Sequence, residues 1–235
     1  MLRRVVSGLM MCAMMVTMSD SSGAADTEVK LKKGDRIVFL GDSITQGGDS
    51  HDNGYVRIIR KTLTEKHPTL GLEVIGAGIS GNKVPDLQRR LQKDVLDRKP
   101  TIVVIYIGIN DVWHGADDPA KGTLPEAFSS GLKDVIGRCK EAGATVVLCT
   151  PTVIGEKKEG ANRQDARLDQ YADISRGLAK ELKLPLCDLR KAFIDYIKDH
   201  NPKNEDKNIL TNDTVHLNQA GDKFVAETML KVIDH

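Results

Sequence analysis

Four short segments of this 235-residue chain carry groups that could do side-chain chemistry. They are Gly41-Asp-Ser-Ile44, Ile79-Ser-Gly81, Gly108-Ile-Asn-Asp111 and Asp213-Thr-Val-His216. A serine hydroxyl becomes a nucleophile beside a base, and an imidazole serves as that base when a partner on its other nitrogen fixes the tautomer. A spacing of three puts the Asp213 carboxylate and the His216 imidazole on one side of a turn, so Asp213 reaches Nδ1–H while Nε2 points to Ser43. Acyl transfer also needs donors for the developing oxyanion. The Ser43 N–H, the Gly81 N–H and the Asn110 side-chain amide are of the right kind, and one such donor is typically worth ~2.7–4 kcal/mol of barrier.

Each residue also has a plainer reading. Asp42 or Ser43 alone does no more than cap the next helix, since both residue types accept hydrogen bonds from free backbone N–H groups. His216 alone is a surface histidine at the head of the last helix. The four segments together favour the chemical reading, because nucleophile, base, orienting acid and donors are all supplied.

These groups must be brought to one place by the elements around them. Residues 37–40 are an unbroken apolar run, as in a strand buried on both faces of a parallel sheet, and Gly41 ends it. Open α/β sheets bind ligands beyond the carboxyl ends of their strands, which is where Asp42 and Ser43 fall. Tyr55, Ile58, Ile59 and Leu63 recur at helical spacing over residues 54–66, before Pro68. Residues 72–75 read as a second strand and the glycine-rich 76–81 as a loop whose backbone closely approaches a neighbour. A helix is expected over 84–97, with Val84, Leu87, Leu91, Val95 and Leu96 on one face. The β-branched run 101–107 predicts a central strand leading into Asn110.

Further along, a helix is expected over 124–142, a strand over 144–149 and a helix over 165–182, then a strand over 184–188 and helices over 191–200 and 219–232. The charged, glycine-punctuated stretch 155–164 reads as a mobile connection over the surface or as a lid; the connection is favoured. Strand and helix thus alternate five times, which argues for a parallel sheet covered on both faces and joined by right-handed crossovers.

Composition narrows the partners. The formal net charge is +1, with a pI near 7.7, and no dense run of Lys or Arg interleaves with aromatics. Neither nucleic acid nor an anionic membrane is implied, and the ligand is expected to be neutral or mixed in charge. Arg3 and Arg4 precede an apolar stretch over residues 5–18, followed by Ser21-Ser-Gly-Ala-Ala25. Residues 1–25 therefore read as a secretory signal peptide cleaved after Ala25, leaving 26–235 as a single domain that is secreted or periplasmic. A lipoprotein reading at Cys12 is weaker, because Met11 stands where a small residue is needed. A retained anchor is the other alternative, though the apolar run is short for a bilayer span. Cys139, Cys149 and Cys187 remain, an odd number without metal-like spacing, and are expected to be buried free thiols.

With all four segments present in order, the chain resembles the SGNH hydrolases, also called the GDSL esterase and lipase family. The likeness runs from the first strand to the final helix. It implies a three-layer α/β/α fold with a flavodoxin-like five-stranded parallel sheet of order 2-1-3-4-5. It further implies Ser43 as nucleophile, His216 as base, Asp213 as its orienter, an oxyanion hole of Ser43, Gly81 and Asn110, and neither metal nor cofactor. Ile44 replaces the leucine of the GDSL name, at a position that gives only apolar support. The chain order Ser, Asp, His is shared with the α/β-hydrolases, but here the serine follows the first strand rather than lying well inside the chain.

Asn82, Trp113 and His114 are candidates for lining the substrate pocket, with packing an equal reading for Trp113. Asp42 and Asp111 are expected to brace loops by accepting backbone N–H bonds. The expected activity is hydrolysis of a short-chain ester, such as acetyl on a carbohydrate, through an acyl-enzyme. Two alternatives are a lysophospholipase or thioesterase-like acyl hydrolase and a carbohydrate-binding relative without turnover. A metal-dependent phosphoesterase built on Asp42, Asp111, Asp213 and His216 is disfavoured by the lack of paired histidines.

Overall fold

Five parallel strands lie in the order β2-β1-β3-β4-β5. They are β1 (Arg36–Gly41), β2 (Glu73–Gly78), β3 (Ile102–Tyr106), β4 (Thr145–Cys149) and β5 (Leu186–Cys187). The computed structural model describes residues 29–234 together with Met1; the rest of the expected signal segment 1–25 and its cleavage after Ala25 lie outside the described residues. Every residue of β3 is buried, as expected of a central strand covered on both faces. The register sets Gly41 opposite both Gly78 and Tyr106, so the ends of β1, β2 and β3 arrive at one level.

Helices form the outer layers. They are α1 (Ser43–Ser50), α2 (Tyr55–Lys66), α3 (Val84–Asp94), α4 (Ile109–Trp113), α5 (Pro125–Glu141), α6 (Asp165–Leu182), α7 (Leu189–His200) and α8 (Gln219–Ile233). Helix α2 packs on α8, while α3 packs on α5 and α5 on α6. Their inward faces carry the periodic apolar residues read from the sequence, such as Val84, Leu87 and Leu91 of α3, all with no exposed surface. Local capping agrees with those boundaries. Asn218 accepts from the Gly221 N–H at the head of α8, and Asp188 accepts from the Lys191 N–H at the head of α7.

Two expectations are corrected. The glycine-rich stretch after Ile75 is not a loop throughout, because β2 continues through Gly78. Glycine is needed there for packing: a Cβ on Gly78 would overlap the Gln46 backbone nitrogen, where α1 crosses the end of β2. The second correction concerns residues 155–164. Gly155 and Glu156 are buried at one end and Gln164 at the other, so only 157–163 face solvent to any extent. Arg190, 2% exposed, pins the base of this loop by donating to the Thr152 carbonyl at 3.0 Å, Asp165 at 3.0 Å and Asp169 at 2.7 Å.

Cys139, Cys149 and Cys187 are buried and free. Cys149 and Cys187 face one another in register across β4 and β5. Among the described residues, no helix is long and apolar enough to cross a membrane.

Candidate active site

Strand β1 ends at Gly41, and Asp42 caps α1 by accepting the Ile44 N–H at 2.9 Å. Ser43 is the first residue of that helix, so its side chain emerges at the carboxyl rim of the sheet. Its Oγ lies 2.9 Å from His216 Nε2. On the other side of the ring, His216 Nδ1 lies 2.7 Å from Asp213 Oδ2. Asp213 Oδ1 accepts two further bonds, from the His216 N–H at 2.8 Å and the Val215 N–H at 3.1 Å. Partial burial raises the Asp213 carboxyl, but those hydrogen bonds outweigh it and hold the group below its ordinary value. A carboxylate at Nδ1 favours the tautomer that leaves Nε2 free to accept the serine proton.

The loop that presents these two residues is tight. Thr214, between them, has φ of 85°, a conformation that a β-branched residue rarely adopts. The base of the loop is closed by an antiparallel bridge between Thr211 and Leu217, and the Asn212 N–H donates to the His216 carbonyl at 2.8 Å.

The residues expected to donate, Gly81 and Asn110, follow β2 and β3, the two strands that flank β1. Gly81 has φ of +75° and follows Ser80, whose N–H donates to Gln46 Oε1 at 2.8 Å. Gly108, with φ of +127°, turns the chain from β3 into α4, which places Asn110 in the first helical turn rather than in an open loop. Asn110 is 3% exposed, and its Nδ2 donates to the Asn82 carbonyl at 3.1 Å.

Arg90, which sequence reasoning did not single out, ties this group together. Its Nε donates to Asn82 Oδ1 at 2.6 Å and its Nη2 to the Gly41 carbonyl at 2.7 Å, joining the end of β1 to the Gly81 loop. The available signal was position: Arg90 follows Leu87 by three on α3, at the margin of its buried face.

Asp42 and Asp111 act as braces. Burial pushes the Asp42 carboxyl up to about 7, against its bond from the Ile44 N–H and with a further rise from nearby Asp111. Burial likewise raises Asp111 to about 6, although it accepts the Val84 N–H at 3.1 Å. Of the three pocket-lining candidates, Trp113 is 38% exposed, with its ring edge-on to His216 at 6.4 Å between centroids. His114 is exposed beside it; partial burial first, then the Lys83 charge, hold its imidazole below the usual value. Asn82 has its Oδ1 committed to Arg90 and its carbonyl to Asn110, so it serves the loop as much as the pocket. A cavity of about 530 Å³ lies elsewhere, lined by Val153, Lys157, Arg190 and Ile194, and holds none of these groups.

A half-buried serine hydroxyl bonded to an imidazole that a carboxylate fixes, at the rim of a 2-1-3-4-5 sheet, is the arrangement of the SGNH class of ester hydrolases. The chain belongs to the GDSL-like lipase/acylhydrolase family, whose sequence profile matches residues 39–224, and is a carboxylic ester hydrolase. It is 31% identical over 218 residues to an acetylxylan esterase of Geobacillus stearothermophilus, covering 87% of this chain and 96% of the relative. An uncharacterized lipoprotein of Bacillus subtilis, YqeF, is 29% identical over 179 residues, 68% of this chain and 72% of the relative. Among solved structures, an acetyl xylan esterase, AlAXEase, superposes with a TM-score of 0.81 at 42% identity, over 84% of this chain and 99% of that one. The Geobacillus enzyme superposes with a TM-score of 0.78 at 30% identity, over 88% of this chain and 97% of that one.

Proposed function

We propose that this protein removes acetyl groups from a carbohydrate ester by double displacement, with Ser43, His216 and Asp213 as the catalytic residues. The observation that carries the reading is the unbroken run of contacts from Ser43 Oγ through the His216 ring to Asp213 Oδ2, at 2.9 and 2.7 Å. Ser43 Oγ attacks the ester carbonyl as His216 Nε2 takes its proton. The oxyanion is received by the Ser43 and Gly81 N–H groups and the Asn110 amide. His216 then returns the proton to the departing sugar hydroxyl, leaving an acetyl-enzyme. Water, deprotonated by the same nitrogen, releases acetate and restores the serine.

Three things support this reading. Catalytic mutants of the Geobacillus enzyme replace a serine, an aspartate and a histidine by alanine, the same three residue types. Two relatives matched along nearly their whole length, at 96% and 99%, are acetylxylan esterases. Trp113 offers an exposed aromatic face next to His216, suited to the apolar face of a sugar ring. The proposed setting is secreted or periplasmic, supported by the Arg3–Arg4, apolar and small-residue pattern, with residues 26–235 as one domain. The YqeF relative, a lipoprotein by name, is consistent with an envelope setting.

Ser43→Ala is expected to abolish turnover of p-nitrophenyl acetate and labelling by a fluorophosphonate probe while leaving the circular dichroism spectrum unchanged. Retained turnover in that variant would overturn the scheme. Absence of labelling and turnover in the wild type would instead favour a binding protein. Acetyl esters should be cleaved faster than long-chain esters, and release of acetate from acetylated xylo-oligosaccharides is the decisive product. Preference for long chains would select the lysophospholipase-like reading. Among the described residues, no three His, Cys, Asp or Glu side chains are grouped so as to hold a metal ion; activity lost on treatment with chelators would select the phosphoesterase reading.

A further inference from the structure

Glu156 lies in the charged stretch that the sequence presents as a surface connection, yet it has no exposed surface. Its carboxylate accepts three consecutive backbone N–H groups. Oε2 takes that of Ile209 at 2.7 Å, and Oε1 those of Leu210 at 2.6 Å and Thr211 at 2.8 Å. The backbone on either side is bonded to the same region. The Gly155 N–H donates to the Thr214 carbonyl at 2.8 Å, the Glu156 N–H to the Asp206 carbonyl at 2.8 Å, and Asn201 Nδ2 to the Glu156 carbonyl at 2.8 Å.

Thr211 is two residues before Asp213, and Thr214 is the residue held at a strained positive φ between Asp213 and His216. Such a conformation persists only where surrounding contacts over-determine it. The Thr211–Leu217 bridge and the Asn212 N–H bond to the His216 carbonyl hold the loop to itself, but they do not fix its height over Ser43. Gly155 and Glu156 do, because they continue from β4 through Thr152, whose carbonyl accepts from Arg190 at 3.0 Å.

From this arrangement we infer that Glu156 is a positioning residue of the active site: its buried carboxylate anchors residues 209–211 and so sets where the Asp213–His216 turn stands relative to Ser43. The inference rests on the proposed roles of those three residues. Neutralising the carboxylate while keeping its shape would set an amide NH2 against backbone donors, and the loop would shift or split into several positions. A displacement of about 1 Å in a catalytic group can cost on the order of 100-fold in rate.

The test is Glu156→Gln, compared with the wild type and with Ser43→Ala. Expected is a folded protein whose kcat for p-nitrophenyl acetate falls by about 100-fold with KM little changed. The low-field proton resonance of the Asp213–His216 hydrogen bond, identified by its loss in His216→Ala, should broaden or vanish. Glu156→Asp, which keeps the charge on a shorter arm, should recover part of the rate. A folded Glu156→Gln with wild-type kcat and an unaltered resonance overturns the inference. Turnover retained in Ser43→Ala would instead overturn the triad itself, which keeps the two failures distinct. Should Glu156→Gln fail to fold, hydrogen exchange in the wild type decides. Amides of 209–211 that exchange only with global unfolding uphold the anchor, and amides that open far more readily than those of β3 refute it.

Discussion

Asn110 offers the sharpest quantitative test of the donor arrangement. Its side chain is 3% exposed, so water does not readily replace the amide when Asn110→Ala removes it. The deletion takes away one of three proposed oxyanion donors and also the bond to the Asn82 carbonyl, which holds the neighbouring loop. Loss of one such donor is worth about 2.7–4 kcal/mol, or on the order of 10²–10³ in kcat. Because the interaction is made with the transition state, KM for a small acetyl ester should hardly move. Steady-state kinetics on p-nitrophenyl acetate, with thermal unfolding as the control for folding, measures both quantities. Arg90→Met should also lower kcat, since the guanidinium positions the same donors through Asn82 and Gly41. Two changes acting on one hole are not independent, so the double variant should lose less than the product of the single losses. A folded Asn110→Ala that keeps more than about a tenth of wild-type kcat would refute the donor role. Full multiplicativity would separate Arg90 from it.

Two further outcomes concern the scaffold. The buried Asp42 carboxyl, raised from 3.8 to about 7, stays neutral in the fold at pH values where the unfolded chain has ionised. Stability from this group is therefore fully present below pH 3.8 and lost as pH rises to about 7. At ~1.36 kcal/mol per unit, the loss between pH 5 and pH 8 is at most about 3 kcal/mol. Asp42→Asn keeps an oxygen for the Ile44 N–H, so urea unfolding at the two pH values should show the variant gaining on the wild type by up to that amount. An unchanging difference would dismiss the buried neutral acid. Gly78→Ala should cost several kcal/mol or prevent folding, because the new methyl meets backbone of α1 rather than a movable side chain. Near-wild-type thermal stability would contradict the close approach of α1 to β2.

Much of the site was legible from local pattern. Apolar runs of strand length, helical periodicities and caps are determined by neighbours in the chain, so β1, β3, α6 and α8 stand close to where the sequence places them. The pair Asp213 and His216 was legible for the same reason, since a spacing of three is a local geometry. Ser43, Gly81 and Asn110 could be assembled because each follows a strand and parallel strands in one sheet end on one rim.

Only the tertiary structure decided what the charged and glycine-rich stretches do. Residues 76–78 read as loop because glycine lowers strand propensity, but the crossing helix α1 requires it inside β2. Arg90 is not singled out by sequence reasoning and Glu156 lies in a stretch that reads as a surface connection, since the Gly41 carbonyl and the N–H groups of residues 209–211 that they bond are distant in sequence. A buried charge is stabilised only when its hydrogen-bonding partners are brought to it. The sequence therefore determined which groups could react, and the packing of distant loops decided which charges hold them in place.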